Sequence, residues 1–398
     1  MKISKVETAW ITVPCDPPQG LSSGDITMST DAVCRITTDE GLYGIGEARG
    51  ASLPEICRVI AGEYTPLLLG ENPVESQYIW DKLYRHKLAG LTPPEQSGKR
   101  PDWPAMRPYQ AALAAVDLAI WDIKAKARNL SVCELLGGKP HPVVAYLSKA
   151  FYVEGQSLDE MCREAIEELE RDGYTHMKMR VGRYGHEDAV RRIAAVRKAV
   201  GPAMKIGVDV NQAFDCETAI KTCKAAEEYD LMWIEEPLGR APKGADTKKA
   251  DYDWDACLGE IAANTSVPLS SGENHYNLRD CNSLVTKGGI RYMQYDATKN
   301  GGATEWLKVA ALCEANGILM APHHVPHFHI MLSAAISNAF IVECYDNKRQ
   351  HPAWPHLFDG FPEVKNGLME CPTGKGWGMD INEKFLKKHG TPVAWDFR

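Results

Sequence analysis

The chain has 398 residues, 44% of them hydrophobic and 25% charged, with a formal net charge of −8. That length exceeds one ordinary domain and suits two, one of them large, with the composition of a soluble globular protein. The negative balance and the lack of a basic tract argue against nucleic acid or an anionic membrane surface as partner, and no apolar run approaches the roughly 18 residues of a transmembrane helix.

The opening MKISKVETAWITVP alternates like a strand and lacks the apolar core of a signal peptide, so the cytoplasm is the expected location. Strands are predicted over 2–13, 31–38 and 42–47, the last two joined by the turn signal Asp39-Glu40-Gly41. Helices follow near 52–69, 73–87 and 108–129, and the Pro- and Gly-rich segment 88–107 between them reads as a long surface loop. This loop is expected to shape specificity or to mediate subunit contacts. From about 142 the rhythm changes to short apolar strands at 142–147, 175–180, 204–209, 231–235, 267–271, 292–295, 318–321 and 340–343. Helices at 157–172, 187–200, 216–229 and 302–316 separate them, and such alternation implies a parallel sheet. Eight such strands over some 200 residues fit a closed (β/α) barrel. The rival is an open doubly wound sheet, which the absence of a GxGxxG after any strand disfavours. The expected division is an N-terminal α+β capping domain over 1–130, the barrel over 131–350, and a segment over 351–398 that packs back on the cap. Twelve cysteines are scattered singly with no CxxC pair, and read as reduced packing residues.

Barrel enzymes place their sites at the carboxyl ends of the strands. Three acids fall there on successive strands: Asp209 ending MKIGVD, Glu235 ending LMWIE, and Glu273 just past VPLSS. An acid at a strand end can simply cap a helix. Three at neighbouring ends converge on one point, and hard oxygen ligands with open positions suit a single Mg2+. Lys178 and Arg180 lie two apart on 175–180, so both face into the barrel while Met177 and Met179 face the helices. Buried cations need partners, and an anionic substrate supplies one. Asp296 follows one strand and His323 the next, so a carboxylate–imidazole bond would fix the tautomer and raise the basicity of His323. Its neighbours His324, His327 and His329 read as structural or mouth-lining. Glu343, ending the last strand, is either an acid donating to a developing oxyanion or a charge paired with a barrel lysine. Asn211, two beyond Asp209, and Ser22, in a polar early stretch with Gln19, Ser23, Asp25 and Thr27, are candidate substrate contacts.

These positions together resemble the enolase superfamily, in its mandelate racemase-like subgroup. The early β-hairpin and helices are similar to that family's capping domain. AALAAVDLAIWDIKAKARNLSVCELLGG is similar to its helix leading into the barrel. VDVNQAF, WIEEP, SSGEN, DATKNGGAT and APHH resemble its barrel strand ends, in the same order. The resemblance implies Asp209, Glu235 and Glu273 as Mg2+ ligands, Asp296–His323 as the base, and Glu343 as an electrophilic helper. It also implies abstraction of the proton α to a carboxylate. One departure matters: the subgroup's usual Lys-x-Lys has Arg180 in place of its second lysine. A guanidinium with a pKa above about 12 is no base near neutrality, whereas racemisation needs bases on both faces. The expected reaction is therefore dehydration of a sugar acid, an aldonate or aldarate, to a 2-keto-3-deoxy acid. His323 would act as base and then acid, and Lys178, whose pKa burial beside Arg180 should lower, stands as the other candidate. Lys178, Arg180 and Glu343 would contact the substrate and share the enediolate charge with the ion. The alternatives are an epimerase or lactone cycloisomerase using the same enediolate, and a barrel that binds sugar acids without turnover. A symmetric homo-oligomer is expected.

Overall fold

The computed structural model describes residues 1–87, 103–240, 253–347 and 349–397. Residues 88–102 of the expected loop lie outside the described residues. From 103 the chain is already helical, in Trp103–Lys126, because the first turn of a helix tolerates proline.

The N-terminal sheet is antiparallel: β1 (Ile3–Leu21), β2 (Gly24–Thr38) and β3 (Tyr43–Ala48). The first hairpin runs much further than the predicted 2–13 and 31–38. A register irregularity between Pro14 and Gln19 absorbs the Cys15–Pro18 stretch, so the ladder resumes at Gln19↔Ile26 instead of ending. The polar stretch expected as a loop is thus the far end of a hairpin turning at Ser22 and Ser23. Helix Trp103–Lys126 packs on β3 at backbone contact. A Cβ on Gly44 or Gly46 would collide with the carbonyl oxygens of Ala119 and Ala115. Helical turns over Leu53–Leu68 and the helix Ser76–Lys87 complete this layer.

The second sheet holds eight parallel strands: β4 (Val143–Ser148), β5 (His176–Arg180), β6 (Lys205–Asp209), β7 (Leu231–Glu235), β8 (Leu269–Ser271), β9 (Ile290–Met293), β10 (Leu319–Met320) and β11 (Val342–Tyr345). Each pairs with the next through β10, and β11 lies beside β4. The ring closes between β10 and β11 through the Met320↔Ala339 bridge and Phe340 N–H donating to Met320 O at 2.8 Å. Helices follow the strands, among them Leu158–Asp172, His186–Val200, Cys216–Ala226 and Gly302–Ala315. The first is bounded by a Ser157–Glu160 capping box and a left-handed Gly173. A short helix, Pro326–Ser333, replaces what the sequence presents as a histidine cluster.

The main core lies between strands and helices, where Met177, Met179, Val208 and Ile234 are buried, while Tyr146 and Trp233 form a separate buried cluster. The C-terminal segment returns to the first sheet, where Gly390–Pro392 pairs antiparallel with β1. Among the described residues no helix is long and apolar enough to cross a membrane.

Candidate active site

Side-chain alternation along β5 sends Met177 and Met179 to the helices and Lys178 and Arg180 into the barrel. Parallel pairing then sets Arg180 beside Asp209 and Asp209 beside Glu235. Lys178 Nζ, fully buried, lies 2.7 Å from Glu343 Oε1, 3.0 Å from Glu235 Oε2 and 3.6 Å from Asp209 Oδ2. Arg180 contacts Asp209 through Nη1, and its Nη2 donates to Ser148 Oγ at 3.2 Å. Glu343 Oε2 also accepts from the His324 backbone N–H at 2.8 Å. Burial raises the Glu343 pKa, but Lys178, His323 and Arg180 together bring it down to about 2. Of the two readings of Glu343, the geometry fits the charge paired with a barrel lysine.

Asp296 follows β9 and His323 follows β10. Asp296 Oδ2 lies 2.9 Å from His323 Nδ1, and its Oδ1 accepts from Thr298 N–H at 2.8 Å and Thr298 Oγ1 at 2.7 Å. His323 Nε2 lies 2.5 Å from Glu273 Oε2. Burial raises the Asp296 pKa, yet the His323 bond and charge bring it to about 2. Burial lowers His323, but the Glu273 charge and the bonds to Asp296 and Glu273 lift it to about 9. The imidazole is therefore oriented at Nδ1, with Nε2 facing the cavity and shared with Glu273.

Five carboxylates, from Asp209, Glu235, Glu273, Asp296 and Glu343, meet Lys178, Arg180, Lys299 and at most one charge from His323 at this mouth, so the acids still outnumber the cations by one or more. Burying such a surplus of negative charge is costly unless a cation joins it. Glu235 Oε2 is buried and, despite the nearby Lys178 charge, accepts no aligned hydrogen bond. An all-oxygen set on three adjacent strands with an uncommitted lone pair fits a small divalent ion such as Mg2+. Among the described residues the one set of three whose ligand atoms lie within 4.8 Å of one another is His323, His324 and Glu343; the oxygens of Asp209, Glu235 and Glu273 are not all gathered that closely. That mixed imidazole–carboxylate set suits softer metals.

Asn211 supports the acid cluster. Its backbone N–H donates to Asp209 Oδ1 at 2.7 Å and its Nδ2 to Oδ2 at 3.2 Å, while its Oδ1 is buried without a partner. Ser22 differs from the sequence reading. Its hydroxyl points at the carbonyl oxygens of Val210 (2.7 Å) and Asn211 (3.1 Å), and it does not line the cavity. Gln19 does line it, with Leu21 and Ile26, so the cap's wall is mixed rather than polar. His327 and His329 are structural. His327 Nε2 lies 2.7 Å from Glu47 Oε2, and His329 Nε2 accepts from Ala297 N–H at 3.1 Å.

Several residues in or beside the cavity were not singled out from sequence. Glu236, next to Glu235, accepts from Gln212 (2.7 Å) and Asn274 (2.9 Å), tying together the turns after β6 and β8. Burial first, then the Glu273 charge, raises its pKa to about 7. Arg49, Lys299, Gln350 and His351 also line the cavity, whose volume is about 260 Å³. Only Lys299 carried a usable signal, three residues beyond Asp296 on one turn.

A family model described as the mandelate racemase / muconate lactonizing enzyme N-terminal domain matches residues 5–137, and one described as enolase C-terminal domain-like matches 160–385. The chain is 28% identical over 408 residues to the D-galactarolactone cycloisomerase of Agrobacterium fabrum, covering 98% of this chain and 100% of that one. It is 28% identical over 358 residues to the L-talarate/galactarate dehydratase of Salmonella typhimurium, covering 88% and 80%. The crystal structure of L-talarate dehydratase from Polaromonas sp. JS666, complexed with Mg and L-glucarate, shares the fold with a TM-score of 0.81 at 27% identity, over 99% of this chain and 100% of that one. With both of its domains matched in order, the chain belongs to the enolase superfamily, in the mandelate racemase / muconate lactonizing enzyme group.

Proposed function

We propose that the protein is a Mg2+-dependent dehydratase of a sugar acid, converting it to a 2-keto-3-deoxy acid. The observation that carries this reading is the one-sided base: an Asp296-oriented His323 faces a site whose other cation-bearing strand offers Arg180 where a second base would need a lysine. Asp209, Glu235 and Glu273 would hold the ion, which supplies a Lewis acid and positive charge to balance an enediolate.

The chain's own groups do the rest. Lys178 and Arg180 bind the substrate carboxylate and take up part of the charge that develops on it. Glu343 holds Lys178 in place. His323 Nε2 takes the C2 proton while Asp296 keeps Nδ1–H oriented. Glu273, 2.5 Å from Nε2, is one of the residues that would hold the ion, and an ion there would draw on its charge in place of the imidazole. The C3–O bond breaks with its electron pair leaving on oxygen, His323 returns the proton to that oxygen, and water departs from the same face. The enol product tautomerises to the ketone.

A second reading rests on the Agrobacterium relative, matched over its whole length: the same enediolate closes or opens a lactone. Incubation of the protein with Mg2+ and a library of aldonates and aldarates separates the two. Dehydration releases a keto acid trapped by semicarbazide and ends when the metal is chelated. Lactone interconversion gives no keto product. Epimerisation washes solvent deuterium into recovered substrate. No turnover of any acid sugar would sink all three.

A further inference from the structure

We infer that the cavity holds a second carboxylate site, so that the substrate is a dicarboxylic sugar acid, an aldarate, and not an aldonate. This rests on the sugar-acid reading above and names the far end of that substrate.

Among the described residues the carboxylates lining the cavity are Glu273 and Asp296, and both are engaged by His323. Away from them the charged wall groups Arg49, Arg180 and Lys299 are cations, while Gln19, whose Nε2 donates to Pro17 O at 2.7 Å, and Asn211, with its buried unpartnered Oδ1, leave acceptors there. Arg49, at the end of β3, is held from behind. Its Nη1 donates to Asp31 Oδ1 at 3.0 Å, and its guanidinium lies 5.1 Å from the Trp354 ring centre. Its backbone N–H reaches Thr298 O at 3.2 Å, which draws the cap strand onto the turn carrying Lys299. The Lys299 stem crosses Gly50, where a Cβ would lie 2.8 Å from Lys299 Cγ. Gly50 also has φ +84°, so both space and backbone call for glycine there. Half-buried Lys299 has no carboxylate within ion-pair distance among the described residues, although its charge helps to keep Glu273 and Asp296 ionised from further off. Gln350 is 3% exposed. Its Oε1 accepts from Asp346 N–H at 2.9 Å, which fixes the amide orientation and leaves Nε2 as a buried donor without an acceptor.

A guanidinium, an ammonium and an amide N–H on one wall want an acceptor-only group with two oxygens and a negative charge. A carboxylate supplies that. The terminal alcohol of an aldonate brings no charge, offers its own donor and leaves Lys299 half-buried with no carboxylate in contact. With the first carboxylate at Lys178 and Arg180, the second belongs at Arg49 and Lys299, one cation from each domain.

The test is equilibrium binding to the full-length, Mg2+-loaded His323→Asn protein, which separates affinity from turnover. The probes are six-carbon aldarates and the aldonates that match them in configuration, galactarate and galactonate among them. At least one aldarate should bind about 10- to 100-fold tighter than its aldonate, the value of charge-assisted contacts to one carboxylate. Lys299→Met should erase most of that preference and Lys299→Arg should keep it. Arg49→Gln should also weaken the aldarate, but Arg49 helps hold the domains together, so Lys299 decides. Equal affinity within every pair, or no binding of any aldarate, overturns the second site. So does a Lys299→Met protein that loses both members of a pair equally, which would make Lys299 part of the reaction centre. If the preference holds while native enzyme yields no keto acid, the dehydratase reading fails and the diacid site stands.

Discussion

Two buried charge clusters flank the turn from His323 to His327, and they settle their charge in opposite ways. At the contact between cap and barrel, Asp31, Glu47, Arg49 and His327 meet beside Trp354. Burial raises Asp31 and Glu47 each to about 7 and lowers His327 to about 3. That cluster moves toward neutrality by keeping protons on its acids and off its imidazole, as low-dielectric surroundings favour. At the barrel mouth, Asp296 and Glu343 are pulled down to about 2 and stay ionised, and the acids outnumber the cations. A cluster that neutralises itself is structural. One left with surplus charge is built for something that arrives.

The largest effect that would break this contrast comes from Glu235→Gln. It should reduce kcat/KM by about 10³-fold or more through loss of the ion. Metal-free stability in urea should change by no more than about 1 kcal/mol, since Lys178 keeps two other carboxylates. A large stability loss in chelator would put the mouth in the same class as the domain contact. His323→Asn comes next, lowering kcat by about 10²- to 10⁴-fold, the usual value of general base catalysis. Mg2+ affinity measured by calorimetry should remain. Retained turnover would move proton abstraction to Lys178.

The domain contact should respond the other way. His327→Leu removes the imidazole from Glu47, leaving it only the longer Arg49 contact, and should cost about 3 kcal/mol in urea unfolding, with kcat per folded molecule little changed. The smallest effect is one of pH. The folded pKa of Asp31, about 7, lies above its ordinary 3.8, so folding takes up a proton there. That contribution is whole below the unfolded pKa and is lost as pH rises through the folded one. Unfolding at about pH 5 and about pH 8 should therefore show native protein losing on the order of 1–3 kcal/mol relative to Asp31→Asn. An unchanged gap would mean that Asp31 stays ionised throughout.

The barrel and its acids were legible because most of the short apolar runs end in or next to a polar residue: Asp209 and Glu235 close their strands, Asp296 and His323 follow theirs, and Glu343, expected at a strand end, lies within β11. The first hairpin was not, because Pro14, Pro17 and Pro18 read as a break while the ladder carries the stretch as an irregularity. Helix Pro326–Ser333 was hidden by its histidines, which look like chemistry but mostly satisfy packing. Arg49, Lys299 and Gln350 come from three remote segments, so only the packing of cap on barrel brings them to one wall. Ser22 was polar and early in the chain, as a substrate contact would be, yet its hydroxyl serves the backbone after Asp209.

The short strand Gly390–Pro392 carries a consequence for how this molecule is made. Its register, Ala9↔Pro392 through Ile11↔Gly390, joins a strand made before the barrel to one made after it. The open edge of β1 must wait, unpaired, while the barrel is synthesised, and an exposed strand edge is a template for another chain. Completion of the cap is thus a late, long-range event, and nascent chains stalled before residue 390 are the species most exposed to self-association.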